Sequence, residues 1–291
     1  MSDTNNGPTQ TDKNSVFSTD GIKGVENISR QDYAKREIGL EIPVNAVNLP
    51  SRGRVYGPDH PLHMVESVEY RGMTPREEDI LMTPAFIKKG TVVTELIKAC
   101  LMDKRIDVST LVTGDRNALM IAIRSAGYGH IYEPSYTCPA CDSKNDMHIN
   151  LNELEIKPLS VNPVAEGVNA FKFRLPKCER DVSFRIATGK DEEELASMAE
   201  SKKKKGIINT NPVTMRLMSA LVEIDGKTDR GLINKFVQNM PAQDSIALRK
   251  YMDEIEPGIQ STVDFTCNAC GHGEEISMPF GVTFLYPNAK V

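Results

Sequence analysis

The stretch "YTCPACDSKN" at residues 136–145 decides how this chain is put together. Two cysteines stand two residues apart with a proline between them. That is half of a tetrahedral metal site, and half a site holds a metal weakly. The other half lies more than a hundred residues downstream, in "FTCNACGHG" at 265–273. Four thiolates from two such pairs satisfy the closed coordination that zinc takes in structural sites, so the spacing predicts a Zn2+ ion held by Cys138, Cys141, Cys267 and Cys270. A closed site leaves no position for a reacting water, which points to structure rather than catalysis. Gly271, just after the last cysteine, suits the sharp turn of a metal knuckle, and Asp142 at the matching place tolerates a left-handed backbone better than most residues. Two alternatives stand beside this reading: His272 in place of one cysteine, or two independent redox pairs. Neither pair opens a helix in a strand–helix pattern, which weakens the redox version.

Working outward, each pair sits between extended segments. Before the first comes "HIYEPSYT"; after it, Met147, Ile149 and Leu151 alternate with polar residues as in a half-buried strand. Around the second pair, Val263 and Phe265 lead in, and Ile276, Met278 and Phe280 follow. A further hairpin is expected in "FKFRLPKCERDVSFRI" (171–186). Beyond it the period becomes helical in "KDEEELASMAESKKKK", "PVTMRLMSALVEI", "RGLINKFVQNM" and "AQDSIALRKYMDEI", punctuated by Pro212, Asp225-Gly226, Pro241 and Pro257-Gly258. The two knuckles can meet only if the ends of this insertion return to one place.

Upstream, "MVESVEYRG" reads as a strand. "MTPREEDIL" then carries a helix start, with Thr74 as cap, Pro75 in the first turn and Glu77 placed to reach back to the cap amide. "TVVTELIKACLM" and "GDRNALMIAIRSAGYG" continue as helices. The expected fold class is therefore α+β: a mainly helical N-terminal unit followed by a zinc-ribbon-like β unit with a helical insertion. In residue terms, 1–40 are expected to form a disordered or partner-ordered N-terminal arm, polar and without apolar periodicity. Residues 41–130 form the helical unit with its lead-in loop and strand, and 131–291 form the β unit, with its helical insert at about 190–256.

Composition excludes several classes. The chain of 291 residues carries a formal net charge of -5, which argues against coating nucleic acid. Its one basic run, Lys202 to Lys205, closes an acidic-then-basic segment before Gly206, as a solvated helix end does. No apolar run approaches the roughly 20 residues needed to cross a bilayer, and the N-terminal stretch lacks a signal-peptide pattern, so a cytoplasmic location is expected. Six cysteines are too few for a disulfide scaffold; Cys100 reads as a small apolar helix residue and Cys178 as a free thiol. "LVTGDRNAL" lacks the ending of a phosphate loop, leaving Asp115 and Arg116 as cap and surface groups. The five histidines are scattered, and no catalytic constellation is readable, so no enzyme and no small-molecule substrate is expected.

The blocks "LPSRGRVYGPDHPL", "MTPREEDILMTPAFIKKGTV", "GDRNALMIAIRSAGYG", "FRLP", "NMPAQDSIALRKYMDEIEPGI" and "FTCNACGHGEEISMPFGVTFLYP" resemble the baseplate hub proteins of T-even-type contractile-tailed phages, a family of hub subunits and hub assembly proteins. The resemblance covers most of the chain from about residue 48. It implies work on the central hub of a tail baseplate beside hub, spike and tape-measure proteins. The place implied is the cytoplasm of an infected bacterium, and also the virion tail if the protein is retained. Either a permanent hub subunit or an assembly chaperone fits. A zinc-ribbon nucleic-acid-binding regulator is the alternative from another class, opposed by the acidic "GHGEEIS"; a metal-dependent or thiol enzyme comes third. The loop "LPSRGRVYGPDHPL", with Arg52, Arg54, Tyr56 and His60, reads equally as a partner contact or as a loop packed on its own helical unit.

Overall fold

The computed structural model describes residues 39, 41–204, 211–278 and 282–285. The expected arm over 1–40 lies outside the described residues apart from Gly39, as does Gly206 beyond the lysine run.

Strand β1 (Val44–Asn48) pairs antiparallel with β2 (Ser67–Arg71), Val47 opposite Val68. In β2, Val68 and Tyr70 turn inward while Ser67 and Glu69 face solvent, the period-two pattern of a half-buried strand. Helix α1 (Pro75–Met82) starts as its sequence requires: the Glu77 carboxylate accepts from the Thr74 amide at 3.0 Å and its hydroxyl at 2.5 Å. Helix α2 (Pro84–Lys89) ends on Gly90, whose φ of 72° supplies the left-handed cap. Next come α3 (Val92–Cys100), which buries Leu96, Ile97 and Cys100, and α4 (Thr113–Tyr128).

Helix α4 is the axis of the molecule, buried along most of its length. Leu119 and Ile123 are fully enclosed, each contributing about 1.5–3 kcal/mol relative to an exposed side chain. Gly114 lets the chain at Pro257 approach so closely that a Cβ would stand 1.9 Å from its carbonyl oxygen.

The β part opens with short ladders. Strand β3 (Ile131–Tyr132) pairs with β6 (Ile149–Asn150), and β4 (Ser135–Thr137) with β5 (Lys144–Asp146). The segment expected as one strand after the first knuckle is thus two, because its partner is broken at Pro134, whose carbonyl accepts from the Met147 amide at 3.0 Å. Strand β7 (Ile156–Lys157) follows, then the hairpin of β8 (Phe171–Arg174) and β9 (Asp181–Phe184).

In the insertion, α5 (Gly189–Lys204) and α6 (Pro212–Ala220) are helical, but "LVEI" is strand β10 (Leu221–Ile224), not the end of a helix. It completes the sheet β10-β9-β8. The reason is tertiary: Leu221 and Ile224 pair with Phe184 and Val182, and Asp225 and Gly226, both at positive φ, turn the chain away. Helices α7 (Arg230–Asn239) and α8 (Ala242–Ile255) lead to β11 (Gly258–Ile259), which pairs with β7. This two-residue ladder returns the chain after the insertion to β7, which precedes both the β8–β9 hairpin and the insertion. Strands β12 (Thr262–Thr266) and β13 (Gly273–Ser277) form the last hairpin, and α9 (Val282–Leu285) closes on α4.

The mixture of helix and antiparallel strand is the expected α+β class. From Pro43 onward the chain is one compact unit; one large apolar core runs from Leu49 to Leu285, and a small second cluster around the cysteine hairpins holds Cys138, Phe265, Cys267 and Ile276. Helix α4 lies against β1, β2, α3, β11 and α9 alike, so it belongs to both parts.

Candidate metal centre

Each cysteine pair occupies the turn of a two-stranded hairpin, β4–β5 or β12–β13. The two turns repeat one hydrogen-bond scheme. In the first, the Cys138 amide donates to the Ser143 carbonyl and the Asp142 amide to the Cys138 carbonyl, both at 2.9 Å. In the second, the Cys267 amide donates to His272 at 2.8 Å and the Gly271 amide to Cys267 at 2.9 Å. Asp142 and Gly271 take φ values of 56° and 73°, the left-handed conformation that such a turn demands.

The turns face each other. All four sulfurs lie within 4.8 Å of one another, with Cys138 to Cys270 at 3.8 Å and Cys141 to Cys267 at 3.7 Å. Bonds of 2.3 Å from a tetrahedral ion place ligand sulfurs about 3.8 Å apart, so the donor set fits a four-thiolate ion. None of the cysteines is in a disulfide. The cluster can hold a metal ion with every ligand position supplied by the protein. His272 is not part of it; its ring stands 3.8 Å from Glu274.

A polar shell surrounds the sulfurs. The Ser143 hydroxyl lies 3.2 Å from the Cys267 sulfur and 3.1 Å from that of Cys141. The Asn145 amide nitrogen lies 3.6 Å from Cys267, and its oxygen accepts from the Asn268 amide at 2.9 Å, so this buried side chain ties one knuckle to the other. The Tyr136 ring packs edge-on against Phe265 at 4.7 Å, and its hydroxyl meets Glu274 at 3.1 Å. The Cys267 thiol is held down to about 5, chiefly by the Ser143 hydroxyl. Cys270 is pushed up to about 12: the His272 amide favours its thiolate, but neighbouring sulfurs and burial outweigh that donor. Four sulfurs this close ionise together only around a cation.

The spacing pointed to the four cysteines that the fold brings together, but not to Ser143 and Asn145. The available signal was their position: alternating residues after the knuckle share one face of a strand.

The loop "LPSRGRVYGPDHPL" folds onto its own helical neighbours. Of the four residues singled out there, only Arg52 is exposed. The Arg54 guanidinium is half-buried and reaches the Leu159 carbonyl at 3.4 Å. Tyr56, 4 % exposed, donates its hydroxyl to Asp115 Oδ2 at 2.6 Å and accepts from the Val112 amide at 3.2 Å. His60 stacks on the Tyr56 ring at 4.5 Å and meets the Thr110 hydroxyl at 3.0 Å.

Asp115 and Arg116, expected as cap and surface groups, are both buried. Asp115 accepts from the Ser51 amide and hydroxyl as well as from Tyr56, and burial still raises its carboxyl above the ordinary range. Arg116 bonds Thr94 at 3.1 Å and pairs with Glu192 at 3.4 Å, lying so flat on Gly189 that a Cβ there would meet its guanidinium.

A family model described as T4 bacteriophage base plate protein matches residues 44–284, from the first residue of β1 into α9. The chain belongs to the T4 bacteriophage base plate protein family. No curated protein and no solved structure matches it. The base plate family match contains both knuckles, the Tyr56–Asp115 anchor and the whole insertion, whereas residues 1–43 lie outside it. Among the described residues no helix is long and apolar enough to cross a membrane.

Proposed function

We propose that this base plate protein acts in assembly of the central hub of a contractile phage tail, as a hub subunit or an assembly chaperone, and that it is not an enzyme. The family match over 44–284 carries the reading at the level of the baseplate. The four cysteines hold Zn2+, the ion whose structural sites take four thiolates in a closed tetrahedron, and the two hairpins then form a zinc-ribbon-like clamp across the base of the insertion. Its partners are hub, spike or tape-measure proteins. It works in the host cytoplasm during assembly and stays in the tail if it is a subunit.

Nucleic acid is a poor partner for the ribbon. Asp264 stands directly opposite Glu275 on its exposed face, with Glu274 on the same strand, and phosphate binding needs the opposite sign.

Quantitative mass spectrometry of tail intermediates and finished virions from one infection tests the role. A fixed ratio to a hub protein in both makes it a subunit, and presence only in intermediates makes it a chaperone. Absence from both would refute hub assembly. Protein purified without chelator should carry close to one zinc per chain; a stable, metal-free wild type would refute the zinc site.

A further inference from the structure

Two sulfur contacts under 4 Å run between the knuckles, pairing Cys138 with Cys270 at 3.8 Å and Cys141 with Cys267 at 3.7 Å. Each pair joins one buried cysteine, Cys138 or Cys267, to one exposed cysteine, Cys270 or Cys141. An exposed thiolate can react with a small disulfide in solution, while the buried partner beside it is screened from the reagent and placed to resolve the product. The hairpins are also held face to face by contacts that need no ion: Asn145 to Asn268, and Tyr136 to Phe265 and Glu274.

We propose that the centre is convertible: when its ion is lost under oxidising conditions, the four cysteines close into two disulfides between the knuckles, Cys138–Cys270 and Cys141–Cys267, and the clamp persists without metal. The proposal rests on the four-thiolate reading above. A disulfide needs a sulfur separation of about 2.05 Å, so each pair closes by about 1.7 Å, a distance that side-chain rotation covers. The chemistry balances with a small-molecule disulfide such as glutathione disulfide as oxidant. The Cys141 thiolate attacks it, forming a mixed disulfide and releasing one glutathione thiolate. The Cys267 thiolate then attacks the Cys141 sulfur and expels the second. Cys270 and Cys138 repeat the sequence, so two glutathione disulfides are reduced, four glutathione molecules form and the ion leaves. The consequence is a hub protein whose fold is set by metal in a reducing cytoplasm and kept by covalent bonds outside it.

The test uses the full chain with Cys178→Ser, which removes the remaining half-buried thiol. The protein is treated with glutathione disulfide in the presence of a chromophoric zinc chelator, free thiols are blocked, and unreduced peptides are mapped by mass spectrometry. The expected products are the two cross-knuckle peptides, with a loss of four hydrogens that dithiothreitol reverses. Pairs within knuckles, Cys138–Cys141 and Cys267–Cys270, would overturn the proposal, as would lasting glutathione adducts or unreacted thiols. A second variant, adding Cys141→Ser and Cys270→Ser, removes both exposed sulfurs and should lose all cross-linking; cross-linking at the original rate would also overturn it. Cross-knuckle disulfides without any zinc released would instead refute the zinc reading alone.

Discussion

Replacing Tyr56 by Phe keeps the ring and removes one oxygen, so it isolates what the hydroxyl does. That oxygen donates to a fully buried carboxylate, Asp115, at 2.6 Å and accepts from the Val112 amide at 3.2 Å. A hydrogen bond to a charged group contributes about 1.5–3 kcal/mol, and an amide left buried without a partner costs about 1–3 kcal/mol. Asp115 keeps the Ser51 amide and hydroxyl, so the lower part of the summed range applies, about 2.5–4 kcal/mol. For a unit of this size each kcal/mol moves Tm by about 2–4 °C, so Tyr56→Phe should lower Tm by about 5–16 °C in a calorimetric scan. A variant with unchanged Tm that fails to join tail intermediates would refute this reasoning and return Tyr56 to a partner-contact role.

Three further outcomes follow from other features. Gly114→Ala should lower the urea midpoint markedly, because its Cβ would stand 1.9 Å from the Pro257 carbonyl oxygen and α4 would have to leave β11; an unchanged midpoint would contradict that packing. Glu77 and Asp191 are both held at about 2: burial opposes this, but Arg71 with Thr74, and Arg185 with Thr188, outweigh it. Their folded values lie below the unfolded ones, so their stabilisation is full above pH about 4.5 and is lost as pH falls towards 2; a Tm flat across that window would exclude them as its source. Asn145→Ala should weaken metal affinity by about 10–100-fold in a chelator competition, and unaltered affinity would show that the bridge does not tune the site.

What the sequence disclosed and what it hid differ in range. The knuckles, the capping box at Thr74 and the alternation of Val68 and Tyr70 are local patterns whose physics plays out within a few residues. The strand at Leu221–Ile224 escaped because its apolar spacing continues that of the helix before it, and its partners Val182 and Phe184 lie far back in the chain. Asp115 and Arg116 were misjudged for the same reason. A charge at a helix start ordinarily meets water, and the groups that satisfy these two, Ser51, Tyr56, Thr94 and Glu192, come from elsewhere in the sequence. Asn145 adjoins the motif, yet its role depends on Asn268 in the other knuckle.

The separation of the two halves of the cluster also sets an order of events during synthesis. Cys141 and Cys267 are 126 residues apart, which at about 5–20 residues per second is roughly 6–25 s of translation. Throughout that interval Cys138 and Cys141 are on the nascent chain as an unfinished ligand pair, open to stray ions and to each other. The insertion is made while its base is still open. Joining of the two cysteine pairs is therefore a late event: a chain that has mispaired or lost its first two thiols by then must hold the second hairpin by the Asn145–Asn268 and Tyr136–Phe265 contacts alone.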